Sequence, residues 1–342
     1  MNIGASRDVL GRHEPGRDEP GRDEVRRDTY LIDSDTSGIQ LQLRRRRRSD
    51  MHEPSSRNTL LLMHGATFPS ESLFDVPVDG ASFMDVLAMA GFDVWAVDAR
   101  GYGGSTRPSE MSAPYDANPP LTPARVAARD LASAVEYVLD ENAIERLNLV
   151  AMSWGGSVAG IYASQHGEHI EKLVLVAPLW LSSRPLRIDA GQPLTAWRSV
   201  RVDAFREAWL TGVPTEQHEA LLPSGWFEQW AVVTNATDLG APEPGTIRAP
   251  GGAIQDTREH WLCGRPLYDP GTITAPVLLV HAEWDQDVRL DMIQDLFSRL
   301  GNASYRRWVE IGSGTHMILM EPGRWQAFDA IIAFLREPAS GI

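Results

Sequence analysis

The stretch Leu147–Gln165, LNLVAMSWGGSVAGIYASQ, decides how the rest of the sequence is interpreted. The mainly apolar run Leu147–Met152 is typical of a strand that is buried on both faces of a sheet. Ser153 follows among small residues, and a helical pattern continues to about Gln165. A sharp strand-to-helix turn of this kind presents its central residue above the carboxyl end of a parallel sheet. Ser153 is therefore a candidate nucleophile.

Similar apolar runs recur on both sides of this stretch. They are nearly continuous rather than alternating, as expected for strands that are covered on both faces. Helical patterns separate them, most clearly at Ala124–Leu139, Asp291–Leu300 and Trp325–Leu335. This alternation predicts an α/β fold with a doubly wound, mostly parallel sheet. The predicted strands are Leu60–Met63, Val94–Val97, Leu147–Met152, Leu173–Ala177, Val277–Val280 and Trp308–Ile311.

The alternation stops once, for about a hundred residues between Ala177 and Val277, which is far longer than an ordinary loop. This interval contains helical pieces and Pro/Gly breaks. We interpret residues 181–260 as a mainly helical cap, inserted into a core that comprises residues 29–180 and 261–342.

Tryptophans are frequent in and around this insertion. Aromatic side chains offer large, rigid contact areas, so Trp180, Trp209 and Trp230 are predicted to line an apolar substrate pocket. We also expect the ring of Trp154, which follows Ser153 directly, to contact substrate. The alternative for each tryptophan of the insertion is that it only packs the cap against the core.

Two segments near the amino terminus carry many charges. Residues from about 11 to 24 repeat a short unit, as GRHEP, GRDEP and GRDEV. They contain too few apolar side chains to offset the chain entropy lost on folding, and we expect residues 1–28 to form a disordered tail. The run Arg44–Arg48 follows an alternating stretch, so we interpret it as the solvated end of an edge strand.

The composition limits the classes of function. Of 342 residues, 43% are hydrophobic, which is typical of a globular protein. The formal net charge of −14 argues against a nucleic-acid partner, because phosphate binding needs a concentrated basic face. The single cysteine, Cys263, excludes an intrachain disulfide framework. No segment has the length and apolarity of a membrane span or a secretory signal, so we expect a cytoplasmic protein without a membrane partner.

Further polar residues follow other predicted strands. Carboxylates at Glu283, Asp285 and Asp287 come after Val277–Val280, and His316 lies on a glycine-flanked loop after Trp308–Ile311. A serine hydroxyl needs a base to take its proton during attack, and an imidazole base needs a carboxylate to fix its tautomer. The sequence places a serine, an acid and a histidine in that order, each at the end of a different strand.

The strand Leu60–Met63 ends in His64-Gly65-Ala66-Thr67. A glycine at this place lets the backbone approach a substrate, so the amides of Ala66 and Trp154 are candidate donors to an oxyanion. His64 is interpreted as a structural residue that braces this loop. No metal is expected, because the histidines lack the i, i+4 spacing with carboxylates that is typical of zinc sites, and no cofactor is expected either.

These motifs resemble the α/β-hydrolase superfamily over residues 29–340. The segment from Gly91 to Ser105, GFDVWAVDARGYGGS, is similar to that family's strand and loop after the oxyanion segment. The resemblance implies Ser153 as nucleophile, Asp285 as acid, His316 as base, and Ala66 and Trp154 as oxyanion donors. One position departs from the family pattern: Ala151 stands where the family usually has glycine, and we expect a tighter turn there.

A serine rather than an aspartate at the turn implies acyl-transfer chemistry. The expected activity is hydrolysis of a carboxylic ester of a small to medium, apolar molecule through an acyl-enzyme. Alternatives are hydrolysis of a C–C bond, lactonase or perhydrolase activity, and a proline-type aminopeptidase. The peptidase needs acidic cap residues facing the free amine, for which the candidates are Glu207, Glu216, Glu219 and Glu228. A non-enzymatic ligand receptor is less favoured. Deprotonation of His316 is expected to give a limb of the pH–rate profile near neutral pH.

Overall fold

A computed structural model describes residues 25–51 and 53–338, and within them an eight-stranded sheet forms the centre of the molecule. Its strands follow the spatial order β1-β2-β4-β3-β5-β6-β9-β10. The strands of this sheet are β1 (Val25–Asp33), β2 (Gln40–Arg48), β3 (Thr59–Met63), β4 (Asp93–Val97), β5 (Leu147–Met152), β6 (Ile170–Val176), β9 (Val277–Ala282) and β10 (Arg306–Ile311), while β7 (Trp197–Arg201) and β8 (Thr246–Pro250) pair with each other outside it.

All the neighbours from β4 to β10 within this sheet pair in parallel, and only the contacts of β2 with β1 and β4 are antiparallel. The predicted doubly wound, mostly parallel sheet is confirmed. All six predicted strands are present. Parallel pairing matters for function because it brings the carboxyl ends of these strands to one edge of the sheet.

Within the described residues, ten α-helices flank the sheet or lie in the inserted segment. The predicted helices at Ala124–Leu139, Asp291–Leu300 and Trp325–Leu335 are present with slightly different ends. The helices are α1 (Ser70–Phe74), α2 (Phe83–Met89), α3 (Ala124–Asn142), α4 (Trp154–Gln165), α5 (Phe205–Trp209), α6 (His218–Leu221), α7 (Trp226–Ala236), α8 (Gly252–Glu259), α9 (Leu290–Arg299) and α10 (Arg324–Arg336). None of the helices in the described ranges combines the length and apolarity needed to cross a bilayer.

Each face of the sheet has its own apolar core, as expected when successive side chains of a strand point to opposite sides. In β3, Leu61 and Met63 join the cluster that contains α3, α4 and α9. Leu60 and Leu62 of the same strand join the cluster that contains α2 and α10. This two-sided burial explains why the strands show continuous apolar runs in the sequence.

The amino-terminal region corrects two predictions. Strand β1 begins at Val25, inside the range 1–28 predicted as a disordered tail, and pairs with β2 along its length. The repeated units within residues 11–24 lie outside the described residues.

The predicted edge position of the arginine run is wrong, because β2 lies between β1 and β4. Arg45 is buried and binds Asp93 through Nε and Nη2 at 2.7 and 2.9 Å, and Arg46 pairs with Asp75. Two of the arginines that looked solvated, Arg45 and Arg46, are therefore buried and paired with carboxylates.

The segment 181–260 contains the helices α5 to α8 and a feature that the sequence did not predict. Strands β7 and β8 form a two-stranded antiparallel sheet, with Trp197 opposite Pro250 and Arg201 opposite Thr246. Both strands are short and contain polar residues, and β7 alternates between more buried and exposed positions. They therefore lack the continuous apolar run by which the core strands were predicted.

Candidate active site

Ser153 lies at the turn between β5 and α4 in a strained backbone conformation. Its φ and ψ are 59° and −126°, a region that side-chain-bearing residues rarely adopt. Gly155 permits the turn, since a Cβ at this position would lie 2.2 Å from the His64 carbonyl oxygen and could not be accommodated. Ala151, the departure from the family pattern, is fully buried in β5 without preventing this geometry.

The structure brings the three predicted side chains of the triad together. His316 Nε2 lies 2.8 Å from Ser153 Oγ, and His316 Nδ1 lies 2.8 Å from Asp285 Oδ2. In the neutral imidazole, Nδ1–H donates to the carboxylate, which leaves Nε2 free to accept the serine proton. Residues 163 positions apart thus form one hydrogen-bonded chain.

The neighbouring carboxylates have different partners. Asp285 Oδ1 accepts the amides of Asp287 and Val288 at 2.8 and 2.9 Å, which orients Oδ2 toward His316. Asp287 binds the Arg187 guanidinium at 2.8 Å and lines the cavity beside the triad. Glu283 accepts the Ser313 amide at 2.9 Å. Of the three carboxylates considered from the sequence, Asp285 contacts the imidazole.

The charges around His316 determine its protonation. Burial disfavours the imidazolium, but the Asp285 carboxylate, its hydrogen bond and the charge of Asp287 outweigh this effect and raise the pKa of His316 to about 9. The expected limb of the pH–rate profile therefore moves from neutral to alkaline pH. Burial also disfavours the charge of Asp287, yet the Arg187 hydrogen bond and the His316 charge hold its pKa below the usual range.

The two candidate oxyanion donors flank Ser153. Trp154 is the first residue of α4, where amides have no partner within the helix. Ala66 lines the cavity beside Ser153, and Gly65 packs closely against the serine, where a Cβ would lie 3.2 Å from Ser153 Cβ. In the described ranges, neither the Ala66 nor the Trp154 amide donates to another group. Both amides are therefore available to a developing negative charge.

A network behind this loop holds it in place. His64 is fully buried, and its Nε2 accepts the Ala99 amide at 3.1 Å while its Nδ1 donates to the Gly65 carbonyl at 2.7 Å. Burial lowers the pKa of His64, which keeps the ring neutral, and the two hydrogen bonds fix this tautomer. The Tyr102 hydroxyl donates to the Ala66 carbonyl at 2.8 Å. The structural interpretation of His64 agrees with these contacts.

The three tryptophans predicted to bind substrate do not line the cavity at Ser153, although Trp209 borders a smaller neighbouring cavity with His316. Trp180, Trp209 and Trp230 are almost completely buried, and none of them lines the cavity at Ser153. Their indole N–H groups donate, in that order, to Asp295 at 2.7 Å, Glu321 at 2.8 Å and the Ser72 carbonyl at 3.0 Å. The ring of Trp154 is also fully buried. The position of a tryptophan in the sequence alone does not predict whether its ring faces the cavity at Ser153 or packs in the core.

Two buried carboxylates that sequence reasoning missed support the site. Glu321 accepts the Thr315 amide at 2.9 Å and the indole of Trp209, so it joins the loop of His316 to the inserted segment. Burial raises the pKa of Glu321. Asp256 accepts the indole of Trp154 at 2.8 Å, and burial raises its pKa to about 6. The tryptophans that they bind are more than a hundred positions away in the chain, so no local pattern marks these contacts.

The cavity at Ser153 is small and apolar. Its volume is about 70 Å³, and Phe68, Leu179, Leu186 and Phe205 form part of its wall. The cap carboxylates that an aminopeptidase would need do not contribute to the cavity, because all four are exposed and none lines it. These are Glu207, Glu216, Glu219 and Glu228.

Two groups of side chains in the described chain have the spacing of metal ligands. Asp285, Asp287 and His316 form one, but each of them already has a hydrogen-bond or ion-pair partner within the site. The other consists of residues 166, 168 and 169 at the surface. Acyl transfer by a serine, an imidazole and a carboxylate requires no metal.

Comparison with known proteins identifies relatives of this arrangement. A family model described as alpha/beta hydrolase fold matches residues 58–322. A probable 1-acylglycerol-3-phosphate O-acyltransferase from Oryza sativa subsp. japonica is 34% identical over 145 residues, which cover 40% of this chain and 31% of that protein. The chain thus spans less than a third of the length of this curated relative.

Solved structures share the fold over most of the chain. A bromoperoxidase from Bacillus anthracis has a TM-score of 0.60 and 17% identity, covering 91% of this chain and 100% of that one. An enol-lactonase from Burkholderia xenovorans LB400 has a TM-score of 0.57 and 16% identity, covering 90% of this chain and 100% of that one. At these identities the likeness concerns the fold alone.

Proposed function

Because this chain belongs to the α/β-hydrolase family, we propose that it is a serine hydrolase that cleaves a carboxylic ester of a small to medium, apolar molecule through an acyl-enzyme. The observation that carries this proposal is the hydrogen-bonded chain from Ser153 through His316 to Asp285, with both links at 2.8 Å. The strained turn and the two free amides beside the serine support it.

The first half of the proposed reaction is acylation. His316 Nε2 takes the hydroxyl proton as Ser153 Oγ attacks the ester carbonyl, and Asp285 stabilises the imidazolium that forms. The amides of Ala66 and Trp154 donate to the carbonyl oxygen as it becomes negative. The imidazolium then gives its proton to the leaving alkoxide, so an alcohol departs and an acyl ester remains on Ser153.

The second half is deacylation. Water loses a proton to His316 as it attacks the acyl-enzyme, and the proton returns to Ser153 Oγ when the acid is released. The cavity of about 70 Å³ favours short acyl groups in both halves. An acyl chain is apolar, so it can lie against the apolar walls of this cavity without burying a polar group that lacks a hydrogen-bond partner.

The test is turnover of p-nitrophenyl esters of increasing acyl length. Wild type is expected to prefer the short esters, and Ser153→Ala is expected to lose activity by about 10⁴-fold or more, because the attacking atom is removed. A fluorophosphonate probe should label the wild type and spare Ser153→Ala. Equal turnover by the two proteins, or labelling of another residue, would refute the proposal.

A further inference from the structure

A second cavity lies beside the catalytic one, in the inserted segment. Its volume is about 270 Å³, and its walls come mainly from residues 188–199 and from α8. Ile188 lines both cavities. The larger cavity is thus a direct neighbour of the cavity in which Ser153 lies.

Arg198, on β7, lies at the boundary between the two cavities. Its Nη2 donates to the hydroxyl of Thr67, a residue that lines the catalytic cavity and directly follows the oxyanion candidate Ala66. Arg198 itself lines the larger cavity and is partly buried. Its guanidinium is therefore one hydrogen bond away from the wall of the catalytic site.

This guanidinium has no carboxylate partner in the described chain, unlike the other arginines near the site. Arg187 is paired with Asp287, and Arg258 of the larger cavity is paired with Asp189. The Nε of Arg198 is buried without a hydrogen bond in the described ranges. The charged residues that line the larger cavity thus leave one positive charge uncompensated.

A buried cation without a counter-ion is costly, and proteins normally supply a partner. Burial lowers the pKa of Arg198 to about 10. The guanidinium nevertheless remains protonated at neutral pH. An anion that bound there would recover the missing electrostatic stabilisation in a site of low polarity, where charge-assisted hydrogen bonds are strong.

We infer that Arg198 forms an anion-binding subsite beside the catalytic cavity, and that the ester substrate carries a carboxylate or phosphate group that this subsite binds. The inference rests on the proposed ester hydrolysis and narrows its substrate class: a short apolar part lies at Ser153, and an anionic group reaches Arg198. A planar guanidinium suits both anions, because each offers two oxygens to its parallel N–H groups.

Two pairs of esters test the subsite by turnover. In the first, mono-p-nitrophenyl glutarate is compared with p-nitrophenyl valerate, so the anion is on the acyl side. In the second, the butyrate ester of 4-hydroxybenzoate is compared with that of its methyl ester, so the anion is on the alcohol side. Wild type is expected to prefer the anionic member in at least one pair. No preference in either pair overturns the inference.

The variants assign the preference to one side chain. Arg198→Gln is expected to reduce kcat/KM for the favoured anionic ester by about tenfold or more, as for the loss of a charge-assisted hydrogen bond. The preference, taken as the ratio of kcat/KM for the anionic ester to kcat/KM for its neutral partner, is expected to fall by about the same factor. Arg198→Met, which keeps an apolar stem, is the second variant if the first does not fold. Arg184→Gln removes an exposed arginine of the same segment and is expected to keep the preference. Retention of the preference by folded Arg198 variants refutes the subsite.

A binding measurement separates this inference from the proposed function. Calorimetric titration of the Ser153→Ala protein with the butyrate ester of 4-hydroxybenzoate and with its methyl ester, and with the glutarate and valerate esters, needs no turnover. At least about tenfold tighter binding of one anionic member supports the subsite even if wild type hydrolyses none of the esters. Equal affinities within both pairs overturn it even if ester hydrolysis is confirmed.

Discussion

The central sheet and the inserted segment 181–260 place side chains around Ser153 in different ways. In the sheet, each triad residue follows a strand, and parallel pairing brings the strand ends together. In the inserted segment, the contacts that connect it to the site join residues far apart in the chain, such as Trp209 and Glu321. Position along a strand thus predicts which side chains meet at Ser153, while composition alone does not predict which contacts an inserted segment makes.

The largest effect is expected for a triad residue of the central sheet, on activity rather than on stability. Asp285→Asn should lower kcat by about 10⁴-fold, because an amide favours the wrong tautomer of His316. The free energy of unfolding should change far less than this loss implies. Steady-state kinetics and denaturant unfolding of the same preparation measure both. Asp269→Asn, at the start of a turn away from the triad, is the control and should retain activity. A variant Asp285→Asn with nearly full activity would show that another carboxylate serves the imidazole.

An intermediate effect is expected in the inserted segment, on stability. Trp230 is fully buried, and its ring packs against Phe68 and Phe205 with centroids 4.9 and 5.2 Å apart. Trp230→Ala should therefore lower the free energy of unfolding by about 3–5 kcal/mol, as for other large-to-small changes in a core. Denaturant titration measures this value. Val232→Ala, on the same helix but 71% exposed, should change it by less than about 0.5 kcal/mol. Equal effects of the two changes would contradict the structural role of the tryptophan.

The smallest expected effect concerns pH. The charge of Asp287 stabilises the imidazolium of His316 and contributes to its pKa of about 9. Asp287→Asn removes that charge and leaves Arg187 unpaired, so the imidazolium becomes less favourable and the pKa falls. The limb along which kcat/KM rises with pH should shift to lower pH by up to about one unit, and activity at pH 7 should increase.

The pH profile of kcat/KM from pH 5 to 10 measures this shift. Asp203→Asn breaks an exposed ion pair with Arg201 and should leave the profile unchanged. An unchanged limb in Asp287→Asn, or a shift to higher pH, would show that Asp287 does not act on the imidazole. A profile of the wild type that is flat across this range would contradict the role of His316 as the base.

The arginine run Arg44–Arg48 shows why part of the fold escaped prediction. Five consecutive charged residues are typical of a solvated segment, yet β2 is an interior strand. Arg45 is buried because Asp93 of the neighbouring β4 binds it and Trp95 lies under the guanidinium, 4.3 Å from the ring centroid. Pairing of this kind depends on strand order, and local hydropathy carries no information about it.

By itself, the sequence determined the alternating strands and helices, the turn at Ser153 and the strand ends that carry Asp285 and His316. These features follow from local periodicity and from the fact that parallel strands end at one edge of a sheet. Only the tertiary structure decided which carboxylate contacts the imidazole, where the tryptophans pack and which arginine lacks a partner. Burial and charge pairing arise between segments distant in the chain, and their energies depend on distances that exist only after folding.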